Sequence, residues 1–233
     1  MSSGARARSG PDGGGASALP HRLAGLAVRR GVRVGLLGGS FNPAHQGHLH
    51  ITRKLLSRLK LDYVWWMVSP QNPLKSPEGM APFAKRFETA RTIAGADRRI
   101  IVTDIETRLG TQFTADTIEK LTRIAPTVRF VWLMGADNLI QISKWQNWRR
   151  IFESVPIAVY DRPGYTLQAA ASKAAQSFAR RRVSEAHARD LAVMSPPAWV
   201  FLHGAMSRAS ATAIRAKNAG LQSRLKKSVK NII

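Results

Sequence analysis

The composition of the chain limits the classes of protein to which it can belong. The 233 residues are 44% hydrophobic, which suits one α/β domain with a sizeable core. The absence of cysteine excludes disulfides and thiolate metal sites, and it fits a reducing cytoplasm. No apolar run approaches the roughly 20 residues that cross a bilayer, and the N-terminus lacks the apolar core of a signal peptide. We therefore expect a cytoplasmic protein without a membrane-spanning segment.

The charge is strongly positive, with 36 Lys and Arg against 14 Asp and Glu, for a formal +22. Residues 1–30 contribute +4, residues 204–233 contribute +7, and the middle of the chain keeps +11. A field of this sign attracts polyanions. The positive charge alone is compatible with three explanations: binding of nucleic acid, binding of substrates that carry phosphates, or a basic surface without a specific partner.

The first 30 residues differ in composition from the rest. They are rich in Gly, Ala, Ser and Arg and poor in large apolar residues, so they cannot bury enough surface to offset the entropy of ordering. We predict a disordered basic extension over residues 1–30 and a single domain over residues 31–233. An organelle transit peptide is the alternative, although Pro11, Asp12 and a glycine run interrupt any amphipathic helix there.

Residues 38–48, with the sequence GGSFNPAHQGH, are the most informative stretch. An apolar run over 32–37 precedes them, and Ile51, Leu55 and Leu59 follow at helical spacing, which predicts a strand, a glycine turn and a helix start. The N–H groups at a helix N-terminus bind anions, and glycines let a phosphate approach the backbone. His45 and His48 share one face of the first turn and can donate to phosphate oxygens. The alternative is that one histidine only caps the helix.

This string resembles the G-x-F-x-P-x-H-x-G-H signature of the nucleotidyltransferase superfamily. With Asn42 and His45 it is most similar to the nicotinate-nucleotide adenylyltransferases. The resemblance implies that ATP binds at this turn, and the implied contacts are Gly38, Gly39, Ser40, Phe41, Asn42 and His48.

The rest of the chain alternates strand and helix patterns. Apolar runs of strand length lie at 62–68, 100–103, 128–134, 155–160 and 199–202, and helical patterns lie at 82–93, 118–124 and 166–192. This alternation, with the resemblance, predicts an α/β, Rossmann-like, doubly wound and mainly parallel sheet with flanking helices.

Four residues match family positions for the mononucleotide. Lys75 follows two prolines after a strand, Thr114 lies in a T-x-x-T stretch, Trp145 follows a glycine–aspartate pair, and Arg162 opens an R-P-G-Y turn. The resemblance implies that Lys75 and Arg162 face the mononucleotide and that Thr114 and Trp145 face its ring. The alternatives are a solvated lysine and a capping threonine.

Gly135 and Asp137 follow a strand directly, where α/β folds hold ribose hydroxyls, although Asp137 can also cap a helix. Near the C-terminus, Ser210, Thr212 and Arg215 can gather hydrogen bonds to one triphosphate at a helix start. They resemble the family's I-S-S-T-x-I-R signature, with Ala209 and Ala211 replacing two of its residues. An ordinary capped helix is the alternative, and a basic terminal helix is predicted over 221–233.

The implied reaction joins ATP and nicotinate mononucleotide to give nicotinate adenine dinucleotide and pyrophosphate. The resemblance assigns catalysis to His45, His48 and Arg215. Mg²⁺ is expected as the cofactor, held mainly by phosphates and not by protein ligands. Nicotinamide mononucleotide and phosphopantetheine remain alternative acceptors, and a basic nucleic-acid-binding protein on the same scaffold is the alternative of another class. We expect no nucleic-acid or membrane partner, and the sequence leaves monomer and dimer open.

Overall fold

A single large sheet organises the computed structural model, which describes residues 22–23, 26–27, 30–70, 79–162 and 164–204. The strands of the described part are β1 (Arg22–Leu23), β2 (Leu26–Ala27), β3 (Arg33–Gly39), β4 (Tyr63–Val68), β5 (Ile100–Thr103), β6 (Arg129–Gly135), β7 (Ile157–Tyr160), β8 (Arg182–Val183) and β9 (Trp199–Leu202). Strands β3 to β9 form the sheet in the order β5-β4-β3-β6-β7-β9-β8, and every neighbouring pair is parallel. The predicted parallel sheet is confirmed.

The strands are apolar throughout because both faces of the sheet are covered. In β4, Trp65 and Trp66 are adjacent in the chain and both are almost completely buried. Successive side chains of a strand point to opposite faces, so the two indoles enter different cores. Trp65 packs in a cluster with Trp132, whereas Trp66 packs with Leu133 on the other side. Continuous apolar strands are typical of parallel sheets covered on both faces.

Helices fill the connections between strands. They are α1 (Gln46–Arg58), α2 (Phe83–Ala94), α3 (Ile105–Leu109), α4 (Thr114–Ile124), α5 (Ala136–Gln141), α6 (Trp148–Ser154), α7 (Thr166–Ala170) and α8 (Lys173–Ser177), with 3₁₀ segments Ile142–Lys144, Ala179–Arg181 and Glu185–Val193. The helical prediction for 166–192 is wrong in part, because this range contains strand β8 as well as several short helical segments. Ser172 and Ser184 each accept a hydrogen bond from a backbone N–H two or three residues ahead, and these caps start new segments.

The strand order creates a switch point at the centre of the sheet. From β3 the chain continues through β4 and β5 on one side, and it then returns to β6 on the other side of β3. The connections that leave β3 and β6 therefore diverge and open a crevice at the carboxyl ends of these strands. The turn at Gly39 and the turn at Gly135 both lie at this edge.

The N-terminal region contains a short pair of strands. Strands β1 and β2 pair antiparallel, with Leu23 opposite Leu26, inside the range 1–30. The disordered extension over 1–30 and the single domain over 31–233 stay predictions. Most other residues of 1–30, and the basic helix predicted at 221–233, lie outside the described residues.

In the part of the chain that the structure describes, no helix is both long and apolar enough to cross a membrane.

The close packing at the end of β3 predicts a difference between two adjacent glycines. A Cβ at Gly38 would lie 2.6 Å from Cη2 of Trp132, a rigid indole that is 2% exposed. We expect Gly38→Ala to lower the free energy of unfolding by about 1–3 kcal/mol, because a packed core resists added volume. Gly39→Ala is the control, since its Cβ would meet Phe41 at an ordinary 3.5 Å. Denaturant unfolding of both variants makes the comparison, and equal losses would contradict it.

Candidate active site

The first turn of α1 is closed by two histidines. His45 is the N-cap residue, with extended backbone angles, and its Nδ1 accepts a hydrogen bond from the Gly47 N–H at 3.1 Å. His48 reaches back, and its Nδ1 accepts from the His45 N–H at 3.2 Å. Each histidine thus accepts a hydrogen bond from a backbone N–H that has no acceptor within the helix. Both residues therefore cap the helix, and the alternative that one of them does nothing else is not decided by these hydrogen bonds.

These hydrogen bonds fix the tautomer of both rings. A neutral imidazole has one protonated nitrogen and one acceptor nitrogen. Because each Nδ1 accepts, the proton of each neutral ring is on Nε2. The two ring centroids are 3.9 Å apart, so the capping arrangement places two Nε2–H donors close together at the start of α1. Capping and anion binding are therefore compatible, since they use different nitrogens.

Both histidines are held in the neutral form. Burial, and after it electrostatic interactions with His45 and Arg162, lower the pKa of His48 to about 3. The pKa of His45 is also lowered, first by burial and then by Arg162. At neutral pH these residues act as hydrogen-bond donors and not as cations.

The ring of Phe41 packs against the rings of His48 and Trp66. Its ring stacks on Trp66 with a centroid distance of 5.2 Å, and the His48 ring lies 4.9 Å from Phe41. Phe41 has φ 44°, in the left-handed region, which turns the chain between β3 and α1. The side chain is 3% exposed, so a contact of Phe41 with ATP is left to its backbone.

Asn42 joins this turn to a distant segment. Its side chain donates to the carbonyl of Gly79 at 3.0 Å and accepts from the N–H of Ala81 at 3.1 Å. Both polar atoms of the Asn42 side chain, which is predicted to bind ATP, therefore hydrogen-bond to the backbone of residues 79–81.

Gly135, Asp137 and Arg162 come together on the β6 side of the crevice. Arg162 Nη1 donates to Asp137 Oδ2 at 2.6 Å. A Cβ at Gly135 would lie 2.5 Å from Asp137 Oδ1, so a side chain at this position would force the Asp137 carboxylate to move. Asp137 is not the N-cap of α5, because Gly135 occupies that position without a side-chain hydrogen bond. Since Arg162 also depresses the pKa of both histidines, its charge belongs to the same site.

Thr114 and Trp145 lie on the other face of the sheet from α1. Thr114 is the first residue of α4, whose N-cap Phe113 makes no side-chain cap, so no threonine caps this helix. Trp145 packs edge-on against Trp132, with ring centroids 6.4 Å apart. Both side chains are half-buried. The structure brings His45, His48, Asp137 and Arg162 into one electrostatic site but records no contact between these four and Thr114 or Trp145.

Four predicted site residues lie outside the described residues: Lys75, Ser210, Thr212 and Arg215. Their assignments remain predictions from the sequence.

Sequence reasoning missed two buried charged residues near the turn after β4. Arg86 is 2% exposed and donates to four carbonyl oxygens. Glu106 is 6% exposed, burial raises its pKa to about 7, and the Ser69 hydroxyl donates to it. A signal for Arg86 was present, because it falls on the inward face of α2 between Phe83 and Ala90. Glu106 lies in a five-residue helix too short for a periodic pattern.

The described residues do not supply a metal site of their own. No group of three or more His, Cys, Asp or Glu in the described ranges is arranged to hold a metal ion. Asp137 is paired with Arg162. Apart from this paired carboxylate, the polar groups of the site are N–H groups and a guanidinium, which bind anions and not cations.

A helix start with two N–H donors at the switch point of a doubly wound sheet is typical of nucleotide-binding α/β proteins. Residues 36–217 match the Cytidylyltransferase-like family. A nicotinate-nucleotide adenylyltransferase of Parvibaculum lavamentivorans is 56% identical over 185 residues, which is 79% of this chain and 92% of the relative. One from Methylorubrum extorquens PA1 is 50% identical over 186 residues, which is 80% of this chain and all of the relative.

The chain therefore belongs to the nicotinate-nucleotide adenylyltransferase family, as the resemblance of residues 38–48 implied. A solved structure with a similar fold is the Plasmodium falciparum nicotinic acid mononucleotide adenylyltransferase complexed with NaAD. Its TM-score is 0.60 at 15% identity, over 79% of this chain and 83% of that one. This likeness supports the fold.

The depressed pKa of His48 predicts that acid weakens the fold. Between the ordinary pKa near 6.5 and the folded value of about 3, the unfolded chain binds more protons than the folded one. The contribution of His48 to stability is complete above pH 6.5 and is lost as the pH falls towards 3.

We expect His48→Asn to show a smaller loss of stability than the unmodified protein between pH 6.5 and 4, because asparagine does not titrate and its Oδ1 keeps the capping hydrogen bond. Denaturant unfolding at several pH values measures both. Identical slopes of stability against pH would contradict the assignment.

Proposed function

We propose that this protein transfers the adenylyl group of ATP to nicotinate mononucleotide and forms nicotinate adenine dinucleotide and pyrophosphate. The observation that carries this proposal is the pair of Nε2–H donors of His45 and His48 at the start of α1, within the field of the Asp137–Arg162 pair. The sequence of the chain places it in the family that is named for this reaction.

The chemistry needs no nucleophile from the protein. An oxygen of the mononucleotide phosphate attacks the α-phosphorus of ATP, a new phosphorus–oxygen bond forms, and the bond to the β-phosphate oxygen breaks. Pyrophosphate leaves with the electron pair of that bond. The protein has to hold the two phosphates in line and stabilise the charge that moves to the leaving group.

His48 donates from Nε2 to the transferring or leaving phosphate, and His45 assists from the same side. A neutral donor suits this role because its position is fixed in advance by the capping hydrogen bond on the other nitrogen. The backbone of the turn from Gly38 to Asn42 lies next to these donors and is assigned to ATP. The N-terminal dipole of α1 adds to the attraction for phosphate.

Asp137 and Arg162 are assigned to the two nucleotides. Asp137 accepts hydrogen bonds from ribose hydroxyls of ATP, and Arg162 pairs with the mononucleotide phosphate. In the structure the two side chains pair with each other. Substrates that use both groups therefore replace one ion pair with two new interactions.

The other assignments rest on family resemblance. Thr114 and Trp145 are assigned to the pyridine ring, and Lys75 to the mononucleotide. Ser210, Thr212 and Arg215 are assigned to the triphosphate. We keep the single domain over 31–233, the cytoplasmic location and the absence of a nucleic-acid partner as predictions, and the sequence expectation leaves monomer and dimer open.

Mg²⁺ is proposed to enter with ATP and to be held by phosphate oxygens and water. The donors of the described site do not fit a protein-held metal, because they are N–H groups and a carboxylate already paired with arginine. The role of the described residues is therefore confined to binding and orienting the phosphates.

Two substitutions of His48 test the donor role of its Nε2–H while a capping acceptor is retained. His48→Asn keeps an acceptor near Nδ1 and loses the Nε2–H, so we expect turnover to fall at least ~100-fold with little loss of stability. His48→Gln has an amide oxygen that can accept the capping hydrogen bond, as glutamine does at this position of a capping box, and an N–H donor near Nε2, so we expect it to retain more turnover than His48→Asn with little loss of stability. Pyrophosphate release and denaturant unfolding measure the two effects. Near-normal turnover of His48→Asn would remove His48 from the proposed role.

The acceptor is tested by measuring pyrophosphate release with three phosphorylated compounds. We expect kcat/KM with nicotinate mononucleotide to exceed that with nicotinamide mononucleotide or phosphopantetheine by at least ~10-fold, because a site built around the carboxylate leaves polar groups unpaired with the others. A preference for either of the other two would replace the proposed acceptor. RNA binding that is sensitive to salt and unaffected by ATP, without any pyrophosphate release, would favour the nucleic-acid alternative.

A further inference from the structure

Arg86 is a buried cation close to the turn after β3. Among the described residues, its guanidinium contacts carbonyl oxygens and the face of the Phe83 ring, 5.5 Å from the centroid. The four carbonyl acceptors are Ser40 (2.7 Å), Ser69 (2.8 Å), Pro70 (2.8 Å) and Ala81 (2.9 Å).

A charge at this position is costly unless it is fully hydrogen-bonded. Burial lowers the pKa of Arg86, and the carbonyl dipoles offset that cost. Only a planar guanidinium presents donors in the directions needed to reach four carbonyls at once, and a lysine ammonium does not. The geometry of Arg86 is therefore specific for arginine.

The acceptors of Arg86 lie on separate segments of the chain. Ser40 lies in the turn that leads from β3 to His45, and Ser69 and Pro70 follow the end of β4. The N–H of Ser69 also donates to the carbonyl of Gly39 at 2.9 Å. Arg86 thus joins the turn assigned to ATP to the end of the neighbouring strand.

From Ser69 the hydrogen bonds continue towards α4. The Ser69 hydroxyl donates to Glu106, whose carbonyl accepts from the Thr111 N–H at 3.0 Å. The hydroxyls of Thr111 and Thr117 are 2.7 Å apart, and Thr117 lies one turn into the helix that begins at Thr114. An unbroken path therefore connects Ser40, on the ATP side, with the helix that carries a residue assigned to the acceptor ring.

We propose that Arg86 is a positioning residue for adenylyl transfer, which holds the Ser40 turn in register with α4 through Ser69 and Glu106. This inference rests on the proposed function, because it takes the turn as the donor site and Thr114 as part of the acceptor site. In-line transfer is sensitive to displacements of about 1 Å between reacting groups, so loss of register lowers kcat more than it raises KM.

The main test compares Arg86→Lys with Arg91→Lys on the same helix. Arg91 has a side chain that is 65% exposed and lies outside the path, so it is the matched control. Pyrophosphate release is measured with ATP and nicotinate mononucleotide, and rates are expressed per mole of folded protein. We expect kcat of Arg86→Lys to fall ~10–100-fold while both KM values change by less than about threefold. Arg91→Lys retains the kcat of the unmodified protein.

A second variant tests the path without altering the buried charge. Ser69→Ala removes the hydroxyl that donates to Glu106 and leaves the carbonyl that Arg86 contacts. We expect kcat to fall about threefold to tenfold, and the double variant to lose less than the product of the two losses, because both changes interrupt one path. If Arg86→Lys does not fold, the kcat of Ser69→Ala decides the question.

The outcomes distinguish a failure of the proposed function from a failure of the inference about Arg86. An unmodified protein that releases no pyrophosphate with nicotinate mononucleotide overturns the proposed function. With an active unmodified protein, the inference about Arg86 is overturned by wild-type kcat per folded molecule in the variants that fold. It is also overturned by losses that multiply in the double variant, or by a rise in KM without a fall in kcat.

Discussion

The reciprocal hydrogen bonding of His45 and His48 is the interaction on which the site depends. Each Nδ1 accepts from a backbone N–H at the start of α1, so each neutral ring carries its proton on Nε2. The same contact ends the turn, begins the helix and sets the tautomer. Burial keeps both rings neutral, so the positive character of the turn comes from N–H dipoles and from Arg162.

The order of the strands explains why distant segments meet. Since β3 lies between β4 and β6, the turns at Gly39, Val68 and Gly135 share one edge of the sheet. Parallel strands bring all carboxyl ends to that edge, and the reversal of direction at β3 opens the crevice between the connections. The histidines contribute from one side of the crevice, and Asp137 with Arg162 contributes from the other.

The sequence predicted the parallel sheet and the position of His45 and His48 on one face of the first helical turn. It did not predict the pairing of Asp137 with Arg162 or the burial of Arg86 and Glu106. Long apolar runs specify strands such as β4 because burial on both faces leaves no other pattern. The pairing of Asp137 with Arg162 could not be read, because the two residues are 25 positions apart and only the β6–β7 register brings them together. The position of Arg86 on the inward face of α2 indicated that it is buried, whereas the sequence around Glu106 gave no such indication. The helical prediction for 166–192 was wrong in part, because two serine caps start new segments there and strand β8 pairs with β9 between them.

The ion pair between Asp137 and Arg162 means that the cleft carries its own counter-ion. A simple anion such as chloride that approaches Arg162 must displace a carboxylate 2.6 Å away, and it offers nothing to Asp137 in return. Under the proposed assignment, a nucleotide supplies both a phosphate for Arg162 and hydroxyls for Asp137. The ion pair would then favour nucleotides over simple inorganic anions before any contact with base or ring.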